Sequence, residues 1–138
     1  MNPDAITLVV VADGRRARLL EQRRIDGPLH DRPEWLSDVK EHHDHGAPSH
    51  ITHSGDAHDR AERAFLNTLA KRVDAVLAHN TIDQVILIAP PRALGHLREA
   101  LSTAATKKVI GSDAHDRVDA TIITLESVVH AARHAHAA

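Results

Sequence analysis

The sequence predicts an α/β fold: a five-stranded mixed sheet, built from a three-stranded antiparallel meander and two parallel strands, with three helices. Three observations carry this. Ile6–Ala12 (ITLVVVA) and Val85–Ala89 (VILIA) are continuous apolar runs, as expected of strands buried on both faces. Asp13-Gly14 follows the first run directly and is a hairpin signal, because both turn positions tolerate positive φ. From Asp59 onward, strands alternate with stretches of helical periodicity, the pattern of crossover units in a parallel sheet.

The elements follow in order. After the first strand and its turn, Arg15–Gln22 is the return strand; Arg16 and Arg18 alternate there with Ala17 and Leu19, so one face is wet or binds a ligand. Asp26-Gly27-Pro28 is a turn. Leu29–Leu36 reads as a third strand, at an edge or bulged because of Pro33. Residues 37–58 have no apolar periodicity and hold most of the histidines, which predicts a long loop. Asp59–His79 is the longest helix, with Asp59 and Glu62 as a capping box. Its apolar stripe is Phe65, Leu66, Leu69, Val73, Val76 and Leu77, and Asn80 caps its end.

Gln84–Ala89 is the central strand. Pro90 and Pro91 stop it, and Pro91 suits the first turn of a helix over Pro91–Leu101. Ser102–Thr106 adds a broken turn, Lys107–Ser112 a short strand, and Asp113–Thr121 a polar loop. Thr124–His134 is the final helix, with Leu125, Val128, Val129 and Ala132 facing inward. Right-handed crossovers place the later strands beside the first. The resulting topology is ribonuclease H-like, which by itself carries no function.

The totals set bounds. A chain of 138 residues suits a single domain over 1–138, and 42% hydrophobic residues suffice for a core. Only Trp35 and Phe65 are aromatic, so the core is aliphatic. No cysteine means no disulfide and no thiolate metal site. A formal net charge of -2 advertises neither nucleic acid nor anionic membrane. Met1–Ile6 has no secretory pattern and no apolar run reaches membrane-spanning length, so a soluble cytoplasmic protein without membrane association is expected. Thirteen histidines are the anomaly; eight of them lie between His30 and His79.

Three chemistries are open to these residues. A two-metal nuclease needs converging carboxylates for Mg²⁺. The first strand offers Asp13 at its far end and the first long helix offers Glu62, but the central strand ends in Ala89-Pro90, so this site is not expected. The histidine loop is the second: His42, His43, His45, His50, His53 and His58 sit among Asp44, Asp56 and Asp59, a donor set suited to zinc. The competing reading is a solvated low-complexity loop. His130 and His134 lie one helical turn apart, which permits chelation, but a frayed tail of Ala, His and Arg is the favoured reading. The third is an anion-binding or RNA-binding face made by Arg15, Arg16 and Arg18, with Arg92, His96 and Arg98 near the end of the central strand. Without an aromatic platform, single-strand base stacking is not expected. No cysteine nucleophile and no G-x-S-x-G elbow is present, so no enzyme is expected.

VVVADGRRARLLE near the start, HDRAERAFLNTLAKRVDAVL in the middle and APPRALGHLREAL after it resemble the bacterial host-attachment protein family over nearly the whole chain. Ala89–Arg98, A-P-P-R-x-L-G-x-L-R, is the most specific segment, and Ala12–Arg18 supports it. Ser112-Asp113-Ala114-His115 stands where that family tends to have a lysine-aspartate pair. The family is similar to the middle, ribonuclease H-like domain of archaeo-eukaryotic class-1 release factors. There a Gly-Gly-Gln loop before the long helix triggers peptide release. The equivalent stretch here, Ser49–His58, has neither Gly-Gly nor Gln, so peptide release is not implied. The resemblance implies a non-enzymatic release-factor-like module that associates with ribosome or RNA, the family name pointing to host attachment. The alternative from the residues is a divalent-metal-binding protein using the histidine loop.

Overall fold

The computed structural model describes residues 2–37, 39 and 54–135. Among these, five strands form one mixed sheet: β1 (Thr7–Ala12), β2 (Ala17–Gln22), β3 (Leu29–Asp31), β4 (Gln84–Ile88) and β5 (Val109–Asp113). Their order is β3-β2-β1-β4-β5. β1 pairs antiparallel with β2 and parallel with β4, and β4 pairs parallel with β5. This is the ribonuclease H-like order, with the two apolar runs side by side in its middle.

Helices cover both faces. On one side lie α1 (Ser54–His79), α2 (Pro91–Ala100) and the short α3 (Thr103–Lys108). They bury Phe65, Leu66, Leu69, Val73, Leu94, Leu97 and Ala105 against Leu8, Val10, Val85 and Leu87 of the sheet. On the other side α4 (Ile122–Ala135) packs Leu125, Val129 and Ala132 onto Val9, Val11, Ile86 and Ile88. Alternate side chains of β1 and β4 therefore feed two separate cores, which is why both runs are apolar throughout.

Several element boundaries differ from expectation. β3 ends at Asp31 and a 3₁₀ turn, Pro33–Leu36, takes over. Pro33 has no N–H for a ladder but suits a first helical turn. Trp35 in that turn lies under the Arg32 guanidinium, 5.3 Å from the ring centroid. α1 begins at Ser54, so Asp59 and Glu62 lie within the helix and do not cap its start. Asn80 does finish α1: its side chain donates to the Val76 carbonyl at 3.0 Å. The stretch after α2 is a true helix, α3, capped by Ser102 Oγ accepting from the Ala105 N–H.

The glycines also act differently from their expected roles. The first hairpin has a four-residue loop, closed by Asp13 N–H to the Arg16 carbonyl at 3.0 Å, and Asp13 Oδ1 accepts the Arg15 and Arg16 N–H groups at 2.7 Å. Gly14 does not need positive φ there; a Cβ on it would lie 2.6 Å from the Glu62 side chain of α1. Gly95 of α2 faces open space, where a Cβ would meet nothing within 4 Å. The close approach is at Gly111 of β5, where a Cβ would lie 2.5 Å from the Ala132 carbonyl oxygen of α4.

One buried cation went unread in the sequence. Arg133 of α4 is 3% exposed and reaches the start of the central strands. It donates to Gln84 Oε1 at 2.6 Å, to Gln22 Oε1 at 2.5 Å and to Thr7 Oγ1 at 3.3 Å. Its Nε has no partner, and burial lowers its pKa from the ordinary guanidinium value. Neutral acceptors replace part of its hydration, without a carboxylate in contact. Gln22→Ala is therefore expected to destabilise by about 2–4 kcal/mol, and by more than Arg133→Met, because the first strands a buried charge and the second removes it. Urea denaturation reads the order, and the reverse order would contradict this account of the cluster. Gly111→Ala is expected to cost about 1–3 kcal/mol by forcing α4 off the sheet.

Candidate functional site

The C-terminal edge of the parallel strands is where open α/β sheets place ligands. Here β4 ends at Ile88, Pro90 and Pro91 follow, and α2 turns back over the sheet. No acidic residue lies in the first turn of α2, and no side chain caps it. Between this helix start and α1 lies an open groove of about 520 Å³ lined by residues that include Asp59, Glu62, Arg63, Arg92, His96 and Glu99. Gly95 also lines it, with the open space noted above. The most specific part of the resemblance, Ala89–Arg98, thus forms one wall of a groove.

Its polar groups are arranged in pairs across the two helices. Arg92 of α2 lies 2.5 Å from Asp59 Oδ1 of α1, and its side chain remains 68% exposed. His96 Nε2 is 2.9 Å from Asn67 Oδ1. These contacts are labile: both partners of the ion pair meet water, where such a pair is worth at most about 1 kcal/mol. A phosphate or carboxylate can therefore compete for Arg92 at low cost.

The hairpin arginines sit elsewhere. Ala17 and Leu19 pack toward α1, so Arg16 and Arg18 project from the opposite face, toward α4. Arg16 makes a two-pronged contact with Asp119 at 2.8 and 3.0 Å. Arg18 grips Asp31 through two bonds and also donates to the Val118 and Ala120 carbonyls at 3.1 and 2.7 Å. Together they tie the hairpin to the loop between β5 and α4. Arg15 is exposed on the hairpin loop. Arg98 donates to Ser112 Oγ of β5 at 2.8 Å. The six candidate anion-binding residues are thus split between two faces of the sheet, and Arg92 and His96 alone among them line the groove.

The other candidates are placed as follows. Asp113, at the end of β5, receives Arg117 Nε at 2.8 Å and lies 3.1 Å from His115 Nδ1. Asp13 holds its own turn. Among the described residues these strand-end carboxylates and Glu62 do not gather into a group that could hold a metal ion. His42, His43, His45, His50 and His53 lie outside the described residues, whereas His58 lies on α1.

Fold and groove define a ribonuclease H-like α/β domain with an open, mixed-charge cleft at the C-terminal edge of its sheet. Residues 8–129 match the family described as "protein required for attachment to host cells", and the chain belongs to that family. No curated protein matches it. Among the described residues no helix is long and apolar enough to cross a membrane.

The Arg16–Asp119 contact yields a pH prediction. The hydrogen bond from Arg16 lowers the Asp119 carboxyl from its ordinary value. A carboxylate with a depressed folded-state pKa contributes stability above its unfolded pKa, and that contribution is lost as pH falls through the folded value. Arg16→Met is expected to raise the Asp119 midpoint toward the ordinary carboxylate range. An NMR titration of the carboxyl carbon reads this, and an unchanged midpoint would contradict the assignment.

Proposed function

We propose that this chain is a non-enzymatic binding module whose contact surface is the α1–α2 groove, and that its partner is RNA, met on the ribosome. In this reading the chain serves host attachment from the cytoplasm, through that partner rather than as an adhesin. The observation that carries it is the groove wall itself. Gly95 leaves room for a backbone to lie along α2, while Arg63 and Arg92 supply cations, and His96 a ring nitrogen, beside the uncapped helix start. The ribonuclease H-like strand order and the release-factor resemblance support the same reading. Arg16 and Arg18 are given a structural part, since their carboxylate and carbonyl partners already engage them. Asp59, Glu62 and Glu99 in the same groove limit how much phosphate it attracts and predict weak, salt-sensitive association.

Co-sedimentation with ribosomes tests this. Two phosphate contacts through Arg63 and Arg92 predict roughly a tenfold loss of affinity between about 50 and 200 mM salt. Arg63→Ala with Arg92→Ala should remove most of that salt dependence, and Gly95→Leu should block binding while leaving the fold intact by circular dichroism. Absence of co-sedimentation at low salt, or binding indifferent to all three substitutions, would overturn the proposal.

A further inference from the structure

Opposite the groove, at the other end of the sheet, three donor side chains come together from distant parts of the chain. Asp26 lies in the turn between β2 and β3; His130 and His134 lie on α4, one turn apart on one helix face. One ligand atom from each lies within 4.8 Å of the other two. His130 Nδ1 is 2.9 Å from Asp26 Oδ1, and the two imidazole centroids are 4.2 Å apart with the rings tilted by 52°. Among the described residues this is the sole trio of histidine and carboxylate donors with that spacing.

We propose that Asp26, His130 and His134 form a divalent-metal site, with Zn²⁺ as the ion it takes. Two imidazoles and one carboxylate are a zinc donor set, and a tetrahedral site with bonds of about 2.0–2.2 Å needs its ligand atoms roughly 3.3 Å apart. The observed ligand atoms lie within 4.8 Å of one another, and all three residues are exposed. The backbone is already fixed on both sides. Asp26 is the one non-glycine residue among those described with a left-handed conformation, φ 62°. Its turn is held by Ile25 N–H to the Pro3 carbonyl, by Gly27 N–H to the Arg24 carbonyl and by Gln22 Nε2 to the Gly27 carbonyl, each at 3.0 Å. α4 is held from beneath by Arg133, whose side chain donates to Gln22 and Gln84.

The electrostatics favour a cation despite that nearby guanidinium. Both histidines stand in the last two turns of α4, where unpaired carbonyls carry the negative end of the helix dipole. Asp26 supplies a full negative charge. Three protein ligands leave a fourth position for water or an external ligand. Space for it exists: Asp26 and His130 border an open groove of about 560 Å³ lined also by Gln22, Gly27, Pro28, Glu126 and Ser127. The bound ion would join the β2–β3 turn to the C-terminal end of α4, positions 104 residues apart in sequence at the Asp26–His130 contact.

The test must separate this trio from the histidine-rich segment. Calorimetric titration with Zn²⁺ uses the full untagged chain and a variant in which His42, His43, His45, His50, His53 and His58 are all replaced by Asn. The proposal expects that variant to keep one saturable equivalent at unchanged affinity. Adding His130→Ala, His134→Ala or Asp26→Asn should then weaken binding at least tenfold. As a second reading, Zn²⁺ should raise the thermal midpoint of the loop variant and not that of its His130→Ala derivative. Saturable binding that disappears with the loop histidines, binding indifferent to the trio, or no saturable heat would each overturn the proposal. These outcomes are independent of ribosome association, since the trio lies on the α4 side and the α1–α2 groove on the other.

Discussion

The parallel pairing of β1 with β4 is the constraint on which the other elements depend. Thr7 pairs with Gln84, and the register runs on through Val9 with Ile86 and Val10 with Leu87. The apolar side chains of that register are fully buried. Because side chains alternate, a slip by one residue would exchange the sets facing α1 and α4 and empty both cores at once. The Arg133 cluster pins one end of this pair, where Thr7, Gln22 and Gln84 converge. The hairpin loop and the start of α2 occupy the other end. The candidate groove and the candidate metal site thus lie at opposite ends of the same two strands, each framed by residues those strands position.

Charge on this molecule is arranged for cohesion as much as for contact. The hairpin arginines join β2 to the loop before α4. Arg32 joins Glu21 to the 3₁₀ turn, with Glu21 only 7% exposed. Arg133 replaces apolar packing at the base of α4. The Arg92–Asp59 pair between α2 and α1 is by contrast a surface pair that exchanges partners cheaply. A formal net charge of -2 does not mark a general nucleic-acid-binding protein.

The central strands and the long helices were legible because continuous apolar runs and 3.6-residue stripes are local signals. Phe65, Leu69 and Val73 are buried as their spacing implies. Asp13-Gly14 marked the right place for a turn but the wrong geometry, since Gly14 has no positive φ and lies beside the Glu62 side chain of α1. Gly95 and Gly111 could not be told apart by sequence: whether a missing Cβ faces a helix carbonyl or open space is decided by tertiary packing. The arginines of the hairpin were visible as alternation, while their partners in the loop before α4, 100 or more residues away, were not. Asp26 read as an ordinary turn residue for the same reason. Arg133, flanked by alanines and histidines, resembled a solvated tail, yet its phase on α4, one residue after Ala132 and four after Val129, places it on the inward side.

Native-state hydrogen exchange measures the central pairing most directly. If β1 and β4 are the spine of the fold, the amides of Val10, Val11, Ile86 and Leu87 exchange last and only through global unfolding, with α1, α4 and the β2–β3 edge opening at lower free energy. Exchange from those four amides that is faster than from Leu69 to Val73 of α1 would show that the helix layer holds together without the strand pair, and would contradict the account.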